Sequence, residues 1–202
     1  MNEAAGFGEL AEARARHRIT ALREATALVN APRRSATPDA APALALLLRC
    51  EGPAELLSGE HPETALLRAA REEVRAESER ARRVAPLVTG DVALLRIASP
   101  CQVHPLAAQS WARRLSGKVV IAANSRFRPG FVHFAARTDS GRDLVAFFRE
   151  RAPDGAGEAY GGGHAGASGG ALPVAMWNDF ARSLGFGAEA EAASFSEREL
   201  AR

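Results

Sequence analysis

The stretch of this chain best suited to chemistry is a glycine-rich run with one histidine inside it: Gly161-Gly162-Gly163-His164-Ala165-Gly166-Ala167-Ser168-Gly169-Gly170. Glycine reaches backbone conformations closed to other residues, so successive N–H groups in such a run can converge on an anion. The run reads as a cradle for a phosphate-containing ligand. Gly161, Gly162 and Gly163 supply the backbone, and His164 stands beside them as donor or proton carrier. The spacing Gly161-x-Gly163-x-x-Gly166 also meets the dinucleotide fingerprint, but that fingerprint follows a hydrophobic strand. Asp154 to Tyr160 is not one, and no Gly-Lys-Ser/Thr of a P-loop follows. A flexible loop without a ligand is the other reading of the same composition.

Two further places can grip phosphate. The stretch Asn124-Ser125-Arg126-Phe127-Arg128-Pro129-Gly130 sets two arginines and an aromatic ring between strands, a suitable grip on single-stranded nucleic acid. Its alternative is an ordinary solvated hairpin. Arg137 closes a strand just before a helix, where ligands of α/β sheets bind. A surface salt bridge to Asp139 or Asp143 is the competing reading. His17, His61, His104, His133 and His164 show no metal-ligand spacing, and no GxSxG elbow or Cys-His pairing signal occurs. Six aspartates are present, none beside a histidine and none in a DxD or DHH arrangement.

These residues need elements to position them. Apolar positions from Leu10 to Val29 recur at helical spacing and predict one or two helices before Pro32. Arg33 to Pro42 reads as a loop and Ala43 to Cys50 as a short helix. His61 to Val84 has no interior glycine or proline and predicts a long connector helix leaning on Leu66, Ala69, Ala70 and Val74. After Gly90 strands and helices alternate. Val92 to Ala98 reads as a strand, Pro105 to Leu115 as a helix and Lys118 to Ala123 as a central strand. Phe131 to Ala136 reads as a strand reached through an Arg126–Gly130 turn, and Gly141 to Arg151 and Val174 to Leu184 as helices. The expectation is an α/β fold: a helical N-terminal region and connector helix, then a small mixed-sheet domain. The expected boundaries are 1–60, 61–86, 87–187 and a flexible tail over 188–202.

Composition narrows the function. With 202 residues, 47% of them hydrophobic, the chain can bury one substantial core or two small ones. No apolar run approaches a membrane span, and Met1-Asn2-Glu3 lacks a secretory pattern. Cys50 and Cys101 read as reduced thiols of a cytoplasmic protein. Net charge is only +2, yet nine basic residues between Trp111 and Arg151 face three acidic ones, a candidate surface for a polyanion.

Four motifs in order give the chain a resemblance to the DHH phosphoesterase superfamily, in particular to the C-terminal part of its RecJ-like branch. Asn30-Ala31-Pro32-Arg33-Arg34 resembles NAxGR. His104-Pro105 with Ala112-Arg113-Arg114-Leu115 resembles WHPGV…ASRL. Arg137 to Leu144 resembles RSxxGxDL, and Gly161 to Gly170 resembles GGGHxxAAGG of the DHH-associated (DHHA) domain. The resemblance covers roughly residues 20–186. Val103, Leu106, Gln109 and Arg33 depart from it, and Thr138 and Ser168 do so mildly.

The resemblance implies a DHHA-type domain that grips the phosphate and terminal nucleotide of a substrate. Arg137 would make bidentate phosphate contacts, and His164 with the N–H groups of Gly162 and Gly163 would line the same pocket. Arg126, Arg128 and His104 are further nucleic-acid contacts, the two arginines on charge alone. The superfamily's N-terminal metal domain binds Mn2+ or Mg2+, and this chain begins about where that domain would end. No cofactor or metal is therefore expected in this chain without a DHH catalytic domain. The expected function is a nucleic-acid or nucleotide-binding module, non-catalytic alone, whose partner is a separate DHH catalytic chain or which is a gene fragment. Exposed apolar surface on residues 9–50 would favour such association. The alternatives are an active metal-dependent phosphodiesterase or exonuclease on single strands or short oligonucleotides, and a tRNA-binding appendage like those of alanyl-tRNA synthetases.

Overall fold

The computed structural model describes residues 11, 12 and 14–193. Leu10, at the start of the expected N-terminal helix, and residues 194–202 of the expected tail lie outside them. The chain divides into two compact units, Met1–Val74 and Arg75–Arg202.

The first unit is helical. Helices α1 (Ile19–Asn30), α2 (Ala41–Arg49), α3 (Pro53–Ser58) and the first turns of α4 (Pro62–Arg82) bury Leu28, Leu46, Leu56 and Leu67 together. Prolines at the starts of α2 and α3 suit positions whose N–H would be unbonded anyway. Gly59, at φ 89°, ends α3 in a left-handed conformation that glycine adopts without strain. Leu44, Leu47 and Leu48 of α2 remain exposed, Leu48 at 80%. On α4 the buried residues are Thr64, Leu67, Val74, Glu77 and Ala81. Leu66, expected among them, is 59% exposed, because the apolar ones, Leu67, Val74 and Ala81, follow a seven-residue spacing one position along.

The second unit is a six-stranded mixed sheet in the order β1-β2-β3-β4-β6-β5. The strands are β1 (Leu87–Thr89), β2 (Val92–Ile97), β3 (Val119–Arg128), β4 (Phe131–Arg137), β5 (Gly162–His164) and β6 (Ala167–Pro173). Strands β2 and β3 are parallel, joined by a crossover through α5 (His104–Ala112); the other pairs are antiparallel. One face of the sheet carries α6 (Leu144–Arg149) and α7 (Val174–Ser183) over the main core. There Phe134, Phe148, Trp177 and Phe180 pack ring to ring, with centroids 5.3–6.2 Å apart. Each such ring removed from water contributes about 1.5–3 kcal/mol. On the other face, the buried alanines of α5 cover β3 and part of β4.

Several segments differ from their sequence reading. The Arg126–Gly130 stretch is not all turn: β3 continues through Arg128, with an irregularity after Asn124, and only Pro129 and Gly130 reverse the chain. The helix expected from Gly141 starts at Leu144, because Gly141 has φ 78° and the Asp143 carboxylate caps the N–H groups of Val145 and Ala146. The glycine run is not a loop but the β5–β6 hairpin. Two of its glycines are needed for close backbone approach: a Cβ on Gly169 would stand 2.5 Å from the Phe134 carbonyl oxygen, and one on Gly170 would stand 2.3 Å from that of Ala159. In the expected tail, Ala188–Ala190 forms a 3₁₀ turn and Ala190 is buried. Asn178 exchanges two hydrogen bonds with Ala192. Among the described residues no helix is long and apolar enough to cross a membrane.

Candidate phosphate-binding site

The site follows from strand alternation. On β4, Val132, Phe134 and Ala136 point into the main core, so His133, Ala135 and Arg137 point to the opposite face. Register then extends that face across the sheet. Arg137 pairs with Ala167 on β6, and Ala167 with His164 on β5. Ala135 pairs with Gly169, and Gly169 with Gly162; His133 pairs with Ala171. The result is a row of Arg137, Ala167 and His164 beside a row of Ala135, Gly169 and Gly162. Neighbouring strands lie ~4.8 Å apart, so Arg137 and His164 stand about 10 Å apart at their Cα atoms. Only the methyl group of Ala167 lies between them.

Small residues on β6 leave this floor open beside the start of α5. The concavity measures about 540 Å³ and is walled there by Gln102, His104 and Pro105. His104 is buried as the first residue of that helix. Its loop is held by Asn124, a fully buried side chain on β3. The Ser99 N–H donates to Asn124 Oδ1 (2.9 Å), and Asn124 Nδ2 donates to the Cys101 carbonyl (2.9 Å). The hairpin tip is anchored too, the Leu144 N–H donating to the Ala165 carbonyl (2.9 Å).

The electrostatics favour an anion. Arg137 is half-buried, and loss of hydration pulls its guanidinium below the ordinary arginine range. Its Nη1 donates to the Ala136 carbonyl (2.8 Å). Neither aspartate named as a competing partner takes it: Asp143 caps α6, and Asp139 accepts from the Ser116 hydroxyl and the Gly117 N–H, both at 2.8 Å. Burial, and then the nearby Arg128 charge, lower the pKa of His133 and favour its neutral form. The positive end of α5 faces the same space.

The structure thus brings Arg137, Gly162, His164 and His104 to one concavity. Gly163 pairs with Ser168 on the opposite face, and neither it nor Gly161 lines the space. Arg126 and Arg128 do not line it either. Arg128 lies over the Phe127 ring (4.7 Å), and Phe127 meets His133 edge-on (5.1 Å) and His104 at 5.9 Å. An aromatic group therefore joins the Arg128 end to the concavity. The remaining basic stretch is dispersed: Arg142 and Arg151 both lie over Phe147 and pair with Asp91 and Glu150. Sequence reasoning gave no site role to His133 or Asn124, although it included the small residues Ala167 to Gly170 of β6 in the glycine-rich run. The i, i+2, i+4 relation of His133, Ala135 and Arg137 was the available signal. A larger hollow of about 770 Å³ beside α7 contains none of the expected site residues.

No protein-family model matches this chain, and no curated protein matches it. Solved structures do. RecJ from Thermus thermophilus in complex with Mg2+ aligns at TM-score 0.56 and 18% identity, over 78% of this chain and 24% of the RecJ chain. The complex of the same protein with Mn2+ gives 0.55 and 19%, over 78% and 22%. PggH, a pGpG-specific phosphodiesterase from Vibrio, gives 0.44 and 14%, over 70% and 48%. This chain spans about a quarter of the length of the RecJ chains. At such identities the common property is the fold, and this chain has a fold found within RecJ.

Proposed function

We propose that the Arg75–Arg202 unit is the substrate-gripping part of a RecJ-like DHH phosphoesterase, binding the phosphate and terminal nucleotide of a single-stranded nucleic acid. The observation that carries this reading is the half-buried Arg137 guanidinium, free of carboxylate pairing among the described residues, in register with His164 across Ala167. A phosphate seated over Ala167 receives charge-assisted bonds from Arg137 and a hydrogen bond from His164. Neutral His133 and buried His104 meet the attached nucleoside, and Phe127 with Arg128 extends the contact to the next base.

Hydrolysis in the DHH superfamily works through Mn2+ or Mg2+, ions that take oxygen ligands. Five of the six aspartates are already engaged by other groups. Asp39, Asp139 and Asp143 bond backbone N–H groups, while Asp91 and Asp179 pair with arginines. Among the described residues the three-donor group able to hold a metal contains a thiol. No hydrolytic step is assigned to this chain. Exposed Leu44, Leu47 and Leu48 support association with a separate chain carrying the metal domain.

Fluorescence anisotropy of a labelled single-stranded oligonucleotide tests the reading. Wild-type protein binds with an affinity that falls steeply with salt, and Arg137→Ala weakens it. Wild-type affinity in a folded Arg137→Ala variant removes the assigned site.

A further inference from the structure

The helical unit holds a second cluster with ligand chemistry. Cys50 follows the last turn of α2, Glu55 lies in the first turn of α3, and His61 immediately precedes α4. One donor atom from each lies within 4.8 Å of the other two. We propose that Cys50, Glu55 and His61 form a binding site for a single transition-metal dication of the zinc type, independent of the concavity in the other unit.

The geometry is close to what such an ion requires. Tetrahedral coordination with Zn–S of ~2.3 Å and Zn–N and Zn–O of ~2.0–2.2 Å sets donors roughly 3.3–3.8 Å apart. His61 Nε2 already stands 3.1 Å from Glu55 Oε1, so a movement of about 1 Å at the thiol closes the set. Charge matches as well: a thiolate and a carboxylate neutralise the dication, and imidazole completes three ligands without adding charge. Thiolate with imidazole selects zinc-like ions over Mg2+ or Mn2+.

The cluster is also braced. The Glu51 N–H donates to Glu55 Oε2 (2.9 Å), fixing the carboxylate through the oxygen that His61 does not use. Arg49 holds Glu63 (3.3 Å). Leu46 and Leu56, adjacent on the same helices, are buried in the unit's core. The side chains of His61 and Glu55 keep 18% and 35% exposure, so water reaches the fourth position. Binding displaces the Cys50 thiol proton to solvent and leaves the S–metal bond in its place. The ion would staple the junctions of α2, α3 and α4.

Cobalt(II), which substitutes for zinc and reports thiolate ligation by a near-ultraviolet charge-transfer band, is the probe for the full chain. One equivalent produces the band in wild type and in Cys101→Ser, and none appears in folded Cys50→Ser. Glu55→Gln and His61→Gln weaken zinc affinity ~10-fold or more, measured by competition with a chromophoric chelator. They serve as the deciding variants if Cys50→Ser loses its circular dichroism. Absence of the band in folded wild type, its persistence in Cys50→Ser, or unchanged affinity in both Glu55→Gln and His61→Gln overturns the site.

Discussion

Strand β4 presents two faces built from alternate residues of a single stretch, and they differ in every physical respect. Val132, Phe134 and Ala136 face a dry core sealed by α6 and α7. His133, Ala135 and Arg137 face an open concavity whose floor on β6 and β5 is Ala167, Gly169, Ala171 and Gly162. The first face is filled by large rings, the second left unfilled by small residues. The difference teaches how a narrow sheet divides stability from recognition: packing is concentrated on one side, and the hydrated charge of Arg137 is partly stripped on the other.

The separation can be broken from either side. Phe134→Ala should cost about 3–5 kcal/mol in urea unfolding, the range for an aromatic lost from a close-packed core. Oligonucleotide affinity of the remaining folded fraction should change little; a large specific loss would show that the faces are not independent. Arg137→Ala should do the reverse, weakening phosphate-ligand binding by ~1.5–3 kcal/mol with an unfolding midpoint close to wild type. A destabilised variant with intact binding would make Arg137 a structural residue.

A pH titration sharpens the comparison further. His133 is held below the ordinary 6.5 of its imidazole, mainly by burial and then by Arg128. As pH falls below 6.5, the unfolded chain takes up this proton before the folded chain does. The stability tied to neutral His133 is thus complete above pH 6.5 and is lost as pH falls toward its lowered folded value. His133→Asn should flatten that part of a stability-against-pH curve, and an unaltered slope would count against the assignment. The smallest effect is expected at the aromatic edge. Arg128→Ala, removing an exposed cation from the Phe127 ring, should change stability by only ~0.5–1 kcal/mol. It should lower single-strand affinity less than Arg137→Ala, and a larger loss would move the centre of binding toward Phe127.

Much of the fold was legible in the chain before folding. The uninterrupted stretch behind α4, the apolar run of β3 and the segments of β2 and α7 carry strong local patterns, and their observed positions differ by a few residues. The glycine run was legible as a functional candidate but not as a strand pair. Glycine has low strand preference, and nothing local reveals that β6 needs it to clear the Phe134 and Ala159 carbonyls. Arg126 and Arg128 were read as turn residues because a half-exposed strand end looks polar.

By itself the sequence determined residue chemistry and local periodicity. It marked Arg137 and His164 as groups suited to phosphate, an α/β order of elements after Gly90, and a helical region before it. Tertiary structure alone decided which of these groups meet. Register between strands far apart in the chain sets Arg137 in line with His164, turns Gly163 to the other face and leaves Ala167 as the gap between them. It also gathers Cys50, Glu55 and His61 where α2, α3 and α4 follow one another. The physical reason is that a side chain's face within an element follows from local geometry. Its partners follow from non-local pairing and burial, which no local spacing records.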